Sequence, residues 1–497
     1  MLWRWLPLLA IVVSLWQLRA TTDGLHIEQI TIGDTPARVY RAEGAAVGPM
    51  VVIAHGFAGS QQLMQSFATT FARAGYVAVT FDFRGHGRNP RPLGGSITEL
   101  EGATRVLVTQ MREVVAAVRG MGDGRLAVLG HSMASDIVIR VAQSEPDVAA
   151  TIAVSMFSPA ATADTPRNLL VIDGDWEGML KREALRVVGL STTKPVLPGT
   201  TYGDFAAGNA RRAAFTPNAE HISVLYRAAT MAESLAWLDA AFGIERAKPA
   251  YLDSRGPWIL LLLAGIVALA RPLAGLLPIV AARPAGAGLG WRRLAPGLLL
   301  PCIATPLLLR VLPTHFLPVL VADYLAVHFA TQGLLTAAYL LCMRRPPRAG
   351  TSIAWLAAAA LAATLYGVGV LFWAIDAYGT SLALGPGRVV LLAIMAIGTG
   401  AFFLAIEWLT RGEGAGRGGF VAAQVSLLAS MAIAVTLDFE RLFFLMIILP
   451  LVVVLFVIYG LISHWTYRRT RHPLVGGIVA AVAFAWAIAM TFPLLTG

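Results

Sequence analysis

A hydroxyl attacks a carbonyl only when a base takes its proton and a carboxylate steadies that base, so serine, histidine and acid must be read together. The segment Leu126-Ala-Val-Leu-Gly-His-Ser-Met-Ala134 supplies the serine. Its apolar start reads as a strand, Ser132 occupies the turn, and Met133–Gln143 has the spacing of an amphipathic helix. A strained turn of this kind projects the hydroxyl, while small neighbours let strand and helix approach. Gly130 meets that need, and Ala134 stands where the pattern more often has glycine. A serine in an ordinary strand–helix turn would look similar, so the reading depends on what accompanies it.

Three other segments do. Val51-Val-Ile-Ala-His-Gly-Phe57 ends an earlier strand, and the Phe57 amide after it can point at a developing oxyanion together with the amide of Met133. The acid is expected after the strand Leu169–Ile172, within Asp173-Gly-Asp-Trp-Glu-Gly178. Between Glu177 and the apolar second half there is one histidine, His221, in Thr216-Pro-Asn-Ala-Glu-His-Ile-Ser223. A base following its acid in chain order fits His221 and excludes His86. Cys302 and Cys342 both lie in apolar runs, so the residues imply neither a disulfide framework nor a metal site, and no cofactor.

These residues need a scaffold that brings strand ends together. From His26 to Gly243 short β-branched runs alternate with longer amphipathic ones. Ile27–Ile32 and Ala37–Tyr40 read as an antiparallel pair; Met50–Ala54, Val77–Phe81, Leu126–Leu129, Thr151–Val154 and Leu169–Ile172 read as buried parallel strands. Leu63–Ala74, Leu107–Arg119 and Met133–Gln143 have helical spacing, and Tyr226–Phe242 reads as a closing helix. The fold class is α/β, with ligands expected at the carboxyl ends of the parallel strands.

His55-Gly56-Phe57, Asp82-Phe-Arg-Gly-His-Gly87 and Gly130-His-Ser-Met133 carry a resemblance to the α/β-hydrolase superfamily. It covers about Thr31 to Phe242 and is nearest to monoacylglycerol-lipase-like esterases and serine aminopeptidase-like proteins. The resemblance places the acid three residues after a strand-ending glycine, which selects Glu177, with Asp175 as the rival. It also implies that Asp82–Gly87 shapes a loop beside the site, giving Arg84 and His86 structural roles. A cap often follows the elbow in this superfamily, but Ser155–Arg167 leaves room only for a loop. An open site is expected, suited to a large or membrane-presented acyl substrate. The layout also resembles, in arrangement alone, inositol deacylases of lipid-anchor processing.

The rest of the chain belongs to another environment. Of 497 residues 57% are hydrophobic and 14% charged, and the mean hydropathy is +0.66. Soluble proteins carry about 25% charged residues, so much of the chain is expected in lipid. Acidic residues thin out abruptly near Lys248–Pro257. Three parts follow: residues 1–19 as an uncleaved signal anchor, 20–250 as the hydrolase unit and 251–497 as a transmembrane unit of about eight helices. The spans read as Trp258–Ala282, Leu294–Leu312, Phe316–Met343, Ser352–Ile375, Val389–Thr410, Phe420–Leu437, Leu442–Ser463 and Leu474–Leu495. Arg271-Pro272 falls at mid-depth of the first, and Asp323, His328 and Gln332 share the third.

The net charge of +10 sits largely in arginines between spans, a topology signal rather than a nucleic-acid surface. Arg283, Arg292, Arg293, Arg344, Arg345, Arg348, Arg411, Arg417, Arg468, Arg469 and Arg471 occupy alternate loops, while the loops between hold Asp376, Asp438 and Glu440. Arginine-rich loops mark the cytoplasmic side. With Arg4 inside, the hydrolase unit and the carboxyl terminus are expected outside the cytoplasm of a bacterial cell membrane. Lysine is limited to Lys181, Lys194 and Lys248, a usage expected of a GC-rich genome.

The expected chemistry is acyl hydrolysis by Ser132, His221 and Glu177 on a lipid or envelope ester, with membrane lipids as partners. Acyl transfer through the same residues is the first rival, and peptidase activity comes after it. A transporter or sensor with a non-catalytic hydrolase-like domain is the rival from another class.

Overall fold

The computed structural model describes residues 5–95, 100–343 and 350–496, with Leu100, Glu101 and Pro386 described by their backbone alone. Arg4, Arg344, Arg345 and Arg348, used in the charge reading, lie outside the described residues.

One eight-stranded sheet forms the amino-terminal unit. Its strands are β1 Leu25–Ile32, β2 Thr35–Ala42, β3 Met50–Ala54, β4 Val77–Phe81, β5 Leu126–His131, β6 Val148–Val154, β7 Leu169–Gly174 and β8 Arg211–Thr216, in the order β1-β2-β4-β3-β5-β6-β7-β8. β2 runs antiparallel to both β1 and β4, and the other pairings are parallel. Strands β3, β4, β5 and β7 are buried along their whole length because helices cover both faces. Val51 and Ile53 point into one core, while Met50, Val52 and Ala54 point into the other. The register holds the strand ends level: Ala54 pairs with Gly130, His131 with Val154, and Val154 with Ile172. Residues that follow these strands therefore share one edge of the sheet.

Among the described residues, eight helices are long and apolar enough to cross a membrane, the signature of a multi-pass membrane protein. They are Gly256–Ala274, Trp291–Leu309, Ala322–Met343, Ile353–Tyr378, Val389–Thr410, Gly419–Leu437, Phe444–Thr470 and Pro473–Thr491. Helix α1, Leu6–Ala20, lies along the first of them. The two approach closely at Gly265, where a Cβ would come within 3.1 Å of the Pro7 carbonyl oxygen.

Several spans differ from the sequence reading at their ends: the second is Trp291–Leu309, the seventh runs on to Thr470, and in three others a proline lies near the end. The first ends at Ala274, so Arg271 and Pro272 sit in its last turns and not at mid-depth. The third begins at Ala322, after Pro318. Asp323 lies in its first turn and accepts from the Phe316, Leu317 and Tyr324 amides, acting at the helix start rather than inside the span. The eighth stops at Thr491, and the chain then leaves the helix through Pro493.

The sheet unit sits on one end of the helical unit, held by buried polar groups. Arg255, just before the first span, is paired with Asp253, and both are buried. Its guanidinium also donates to Gln65 (2.6 Å), Thr69 (2.8 Å) and Thr21 (3.3 Å). Those partners come from one helix of the sheet unit, Gln65–Arg73, and from the residue that follows α1, so the hydrogen bonds offset desolvation and fix how the first span leaves the domain. Residues after the eighth span run beside Gly85–Leu93, where Leu93 N donates to Leu494 O (2.7 Å) and Leu494 N to Gly85 O (3.0 Å). Arg388 ties the same place together through the carbonyls of Gly85, Ala489 and Phe492. Arg283, Arg292, Arg293, Arg411, Arg417, Arg468, Arg469 and Arg471 all fall at the opposite ends of the spans.

Candidate active site

Ser132 links β5 to helix α4, Met133–Ser144, with φ 55° and ψ −118°. A side-chain-bearing residue rarely adopts such a backbone, and here its strain lifts the hydroxyl off the sheet edge. Gly130 makes the turn possible, because a Cβ there would lie 2.3 Å from the Ala134 carbonyl oxygen. Ala134 is fully buried at the start of α4, so the methyl group where glycine is usual fits.

A continuous relay runs from this hydroxyl. His221 Nε2 lies 2.9 Å from Ser132 Oγ, and His221 Nδ1 lies 2.6 Å from Glu177 Oε1. The other Glu177 oxygen accepts from the Gly174 amide (2.6 Å) and the Ser155 hydroxyl (2.8 Å). Burial raises the Glu177 carboxyl, but hydrogen bonds from His221, Gly174 and Ser155 outweigh that and hold it below the usual carboxylate range. It is therefore ionised and aimed at Nδ1, which fixes the imidazole with its free nitrogen toward Ser132. Asp175 is turned away, exposed and paired with Lys181 at 2.8 Å.

Phe57 follows β3 at the same edge. Gly56 lies against Ser132, since a Cβ on it would be 2.9 Å from the Ser132 Cβ. Neither the Phe57 nor the Met133 amide has an acceptor among the described residues. His55 pins this loop: its Nε2 accepts from the Phe83 amide (3.1 Å), which leaves Nδ1 to donate to the Gly56 carbonyl (2.8 Å). Burial keeps His55 neutral, pushed down to about 4. His86 is likewise buried, about 3, with Nδ1 on the Arg84 carbonyl (2.9 Å), and Arg84 meets Glu113 at the surface. Among the described residues no group of three or more metal-ligating side chains comes together.

The sequence reading did not single out three groups that stand beside the relay. Ser155 directly follows β6 with φ 51°, and its place at a strand end was the available signal. His131 donates from Nε2 to the backbone carbonyl of His221 (3.0 Å), holding the base from behind. Asp173, buried at the end of β7, accepts from the Met156 amide (3.0 Å).

Burial pushes Asp173 up to about 7; the Met156 amide partly offsets this and the Glu177 charge adds to it. An unfolded aspartate titrates near ~4, so the folded state holds this proton more tightly. The carboxylate then costs stability increasingly as pH rises from about 4 to about 7, and fully above that. Asp173→Asn keeps the acceptor for Met156 and removes that cost. Its apparent Tm in detergent should exceed the native value by several degrees at pH 8 and by clearly less at pH 5. An equal difference at both pH values would contradict the raised carboxyl.

The strand order and the elbow at the strand ends give the amino-terminal unit the α/β-hydrolase fold. Residues 46–231 match the family model described as "Serine aminopeptidase, S33". The curated proteins include an uncharacterized 31.7 kDa protein of the traX-finO intergenic region of Escherichia coli, 25% identical over 117 residues, or 23% of this chain. The chain spans 40% of the length of that relative. Among solved structures, a predicted CIB-like hydrolase from Thermoplasma acidophilum is 15% identical with a TM-score of 0.35, covering 43% of this chain and 97% of that one. A membrane phospholipase A described as a bacterial virulence factor is 13% identical with a TM-score of 0.33, covering 48% and 94%.

Proposed function

We propose that the protein is a membrane-bound serine hydrolase that cleaves an ester or related acyl bond through Ser132, His221 and Glu177. The observation that carries this reading is the unbroken relay Glu177–His221–Ser132 beside two backbone amides that have no acceptor among the described residues. His221 Nε2 takes the Ser132 proton as Oγ bonds to the carbonyl carbon, and the carbonyl oxygen gathers negative charge between the Phe57 and Met133 amides. The intermediate collapses when the leaving alkoxide, thiolate or amine takes that proton from His221. Water, deprotonated by the same nitrogen, then adds to the acyl-enzyme and restores Ser132.

The attachment of the hydrolase unit to one end of eight apolar helices supports a lipid-borne or envelope substrate, because confinement raises its effective concentration at the site. The arginines at the far ends of the spans support a cytoplasmic assignment for that side, and on this reading the hydrolase unit and carboxyl terminus lie outside. The full chain, reconstituted in liposomes carrying long-chain acyl esters, should release free fatty acid, and His221→Ala protein should not. Equal release by both proteins would contradict the role of the base.

A further inference from the structure

The loop that bears the Phe57 amide does not end the site against water. The Phe57 ring lies 5.4 Å from the ring of Phe444, the first residue of the seventh span. Phe444 in turn lies 4.1 Å from Phe443, which lies 6.5 Å from Phe439. Phe439 is 58% exposed and Phe443 38%, so the series runs from an accessible edge inward to the residue after Gly56, which abuts Ser132. Along the same span, Met446 and Ile447 are exposed apolar residues at the start of a 27-residue helix. A surface of this kind on a membrane helix faces hydrocarbon. The aromatic series is thus continuous with the lipid-facing side of the seventh span at one end and with the nucleophile's surroundings at the other.

We infer that Phe439, Phe443 and Phe444 form a wall of the substrate site, along which the hydrocarbon chain of a bilayer-borne ester passes to Ser132. This rests on the hydrolase reading above and adds its specificity: the helical unit selects substrates by chain length. The short Ser155–Arg167 connection supplies no cap from within the sheet unit, and Phe444 of the helical unit packs on Phe57 instead. Aromatic rings contribute large apolar contact area at low entropic cost, and they tolerate a sliding chain because no hydrogen bond fixes its register.

Two measurements on the full chain in liposomes test this. The first is the ratio of kcat/KM for a hexadecanoyl ester over a butanoyl ester. Phe443→Ala should lower this ratio about tenfold, the scale of one lost aromatic contact, and Phe443→Leu should restore part of it. An unchanged ratio in Phe443→Ala would overturn the inference. The second needs no turnover: Ser132→Ala protein is irradiated with a long-chain ester bearing a terminal diazirine. Adducts on the peptide containing Phe439–Phe444, competed by unlabelled hexadecanoyl ester, are expected. Labelling confined to other lipid-facing helices would overturn it, whatever the activity of the native protein. Adducts at these peptides together with an inactive native protein would instead count against the hydrolase reading alone.

Discussion

Ser132→Ala should lower kcat for ester hydrolysis by at least about 10⁴-fold, the scale expected on removing a nucleophile that works as one unit with its base. The residue is one methylene and a hydroxyl in a turn at φ 55°, and alanine tolerates that backbone no worse than serine. The Ser132 amide donates to the Val154 carbonyl (2.9 Å), and its own carbonyl accepts from Ser135; neither bond uses the side chain. Folding should therefore survive, visible as an unchanged elution volume and an apparent Tm within about a degree or two. What disappears is the one oxygen within reach of His221 Nε2. Turnover within tenfold of the native enzyme would mean that water attacks directly, and Ser132 would then be a bystander at the turn.

Glu177→Gln should cost about 10³- to 10⁴-fold in kcat, while Asp175→Asn should leave it within about twofold. The amide keeps the size of the carboxylate but loses its charge. It can also turn its nitrogen toward His221 Nδ1, which favours the imidazole tautomer whose Nε2 already carries a proton and cannot take another. It further disturbs a carboxylate that accepts from Gly174 and Ser155 at once. Asp175 is itself exposed and pairs with the half-buried Lys181, and a surface pair of that kind contributes ~0–1 kcal/mol to stability. The comparison is made on purified variants with one soluble ester at saturating concentration. A larger loss in Asp175→Asn would move the acid and contradict the relay as drawn.

Much of the architecture was legible because burial writes itself into the chain. The parallel strands read as unbroken apolar runs since both faces are covered, and the strand-end rule located Phe57, Ser132 and the acid loop. Within that loop the family spacing selected Glu177 and kept Asp175 as a rival. The three-dimensional turn, with Glu177 folded back onto the Gly174 amide and Asp175 projecting outward, separates them. Helix α5, Gly178–Gly189, escaped notice because its short amphipathic pattern starts inside the candidate acid loop. Span ends were misplaced at Pro272, Pro318 and Pro493, where hydropathy continues but the helix does not. Contacts such as Arg255 with Gln65 or Phe57 with Phe444 join residues hundreds of positions apart, and no periodicity records them.

The most direct test is covalent. The full-length protein in native membranes is treated with a fluorophosphonate probe, digested and mapped by mass spectrometry. A phosphonyl serine reports a nucleophile activated by its own base, because an ordinary surface hydroxyl does not react on the same time scale. One adduct is expected, on Ser132, and it should be lost in His221→Ala protein while the Ser132-containing peptide is still recovered unmodified. Absence of any adduct on the native chain, or an adduct on a serine remote from His221, would contradict the account.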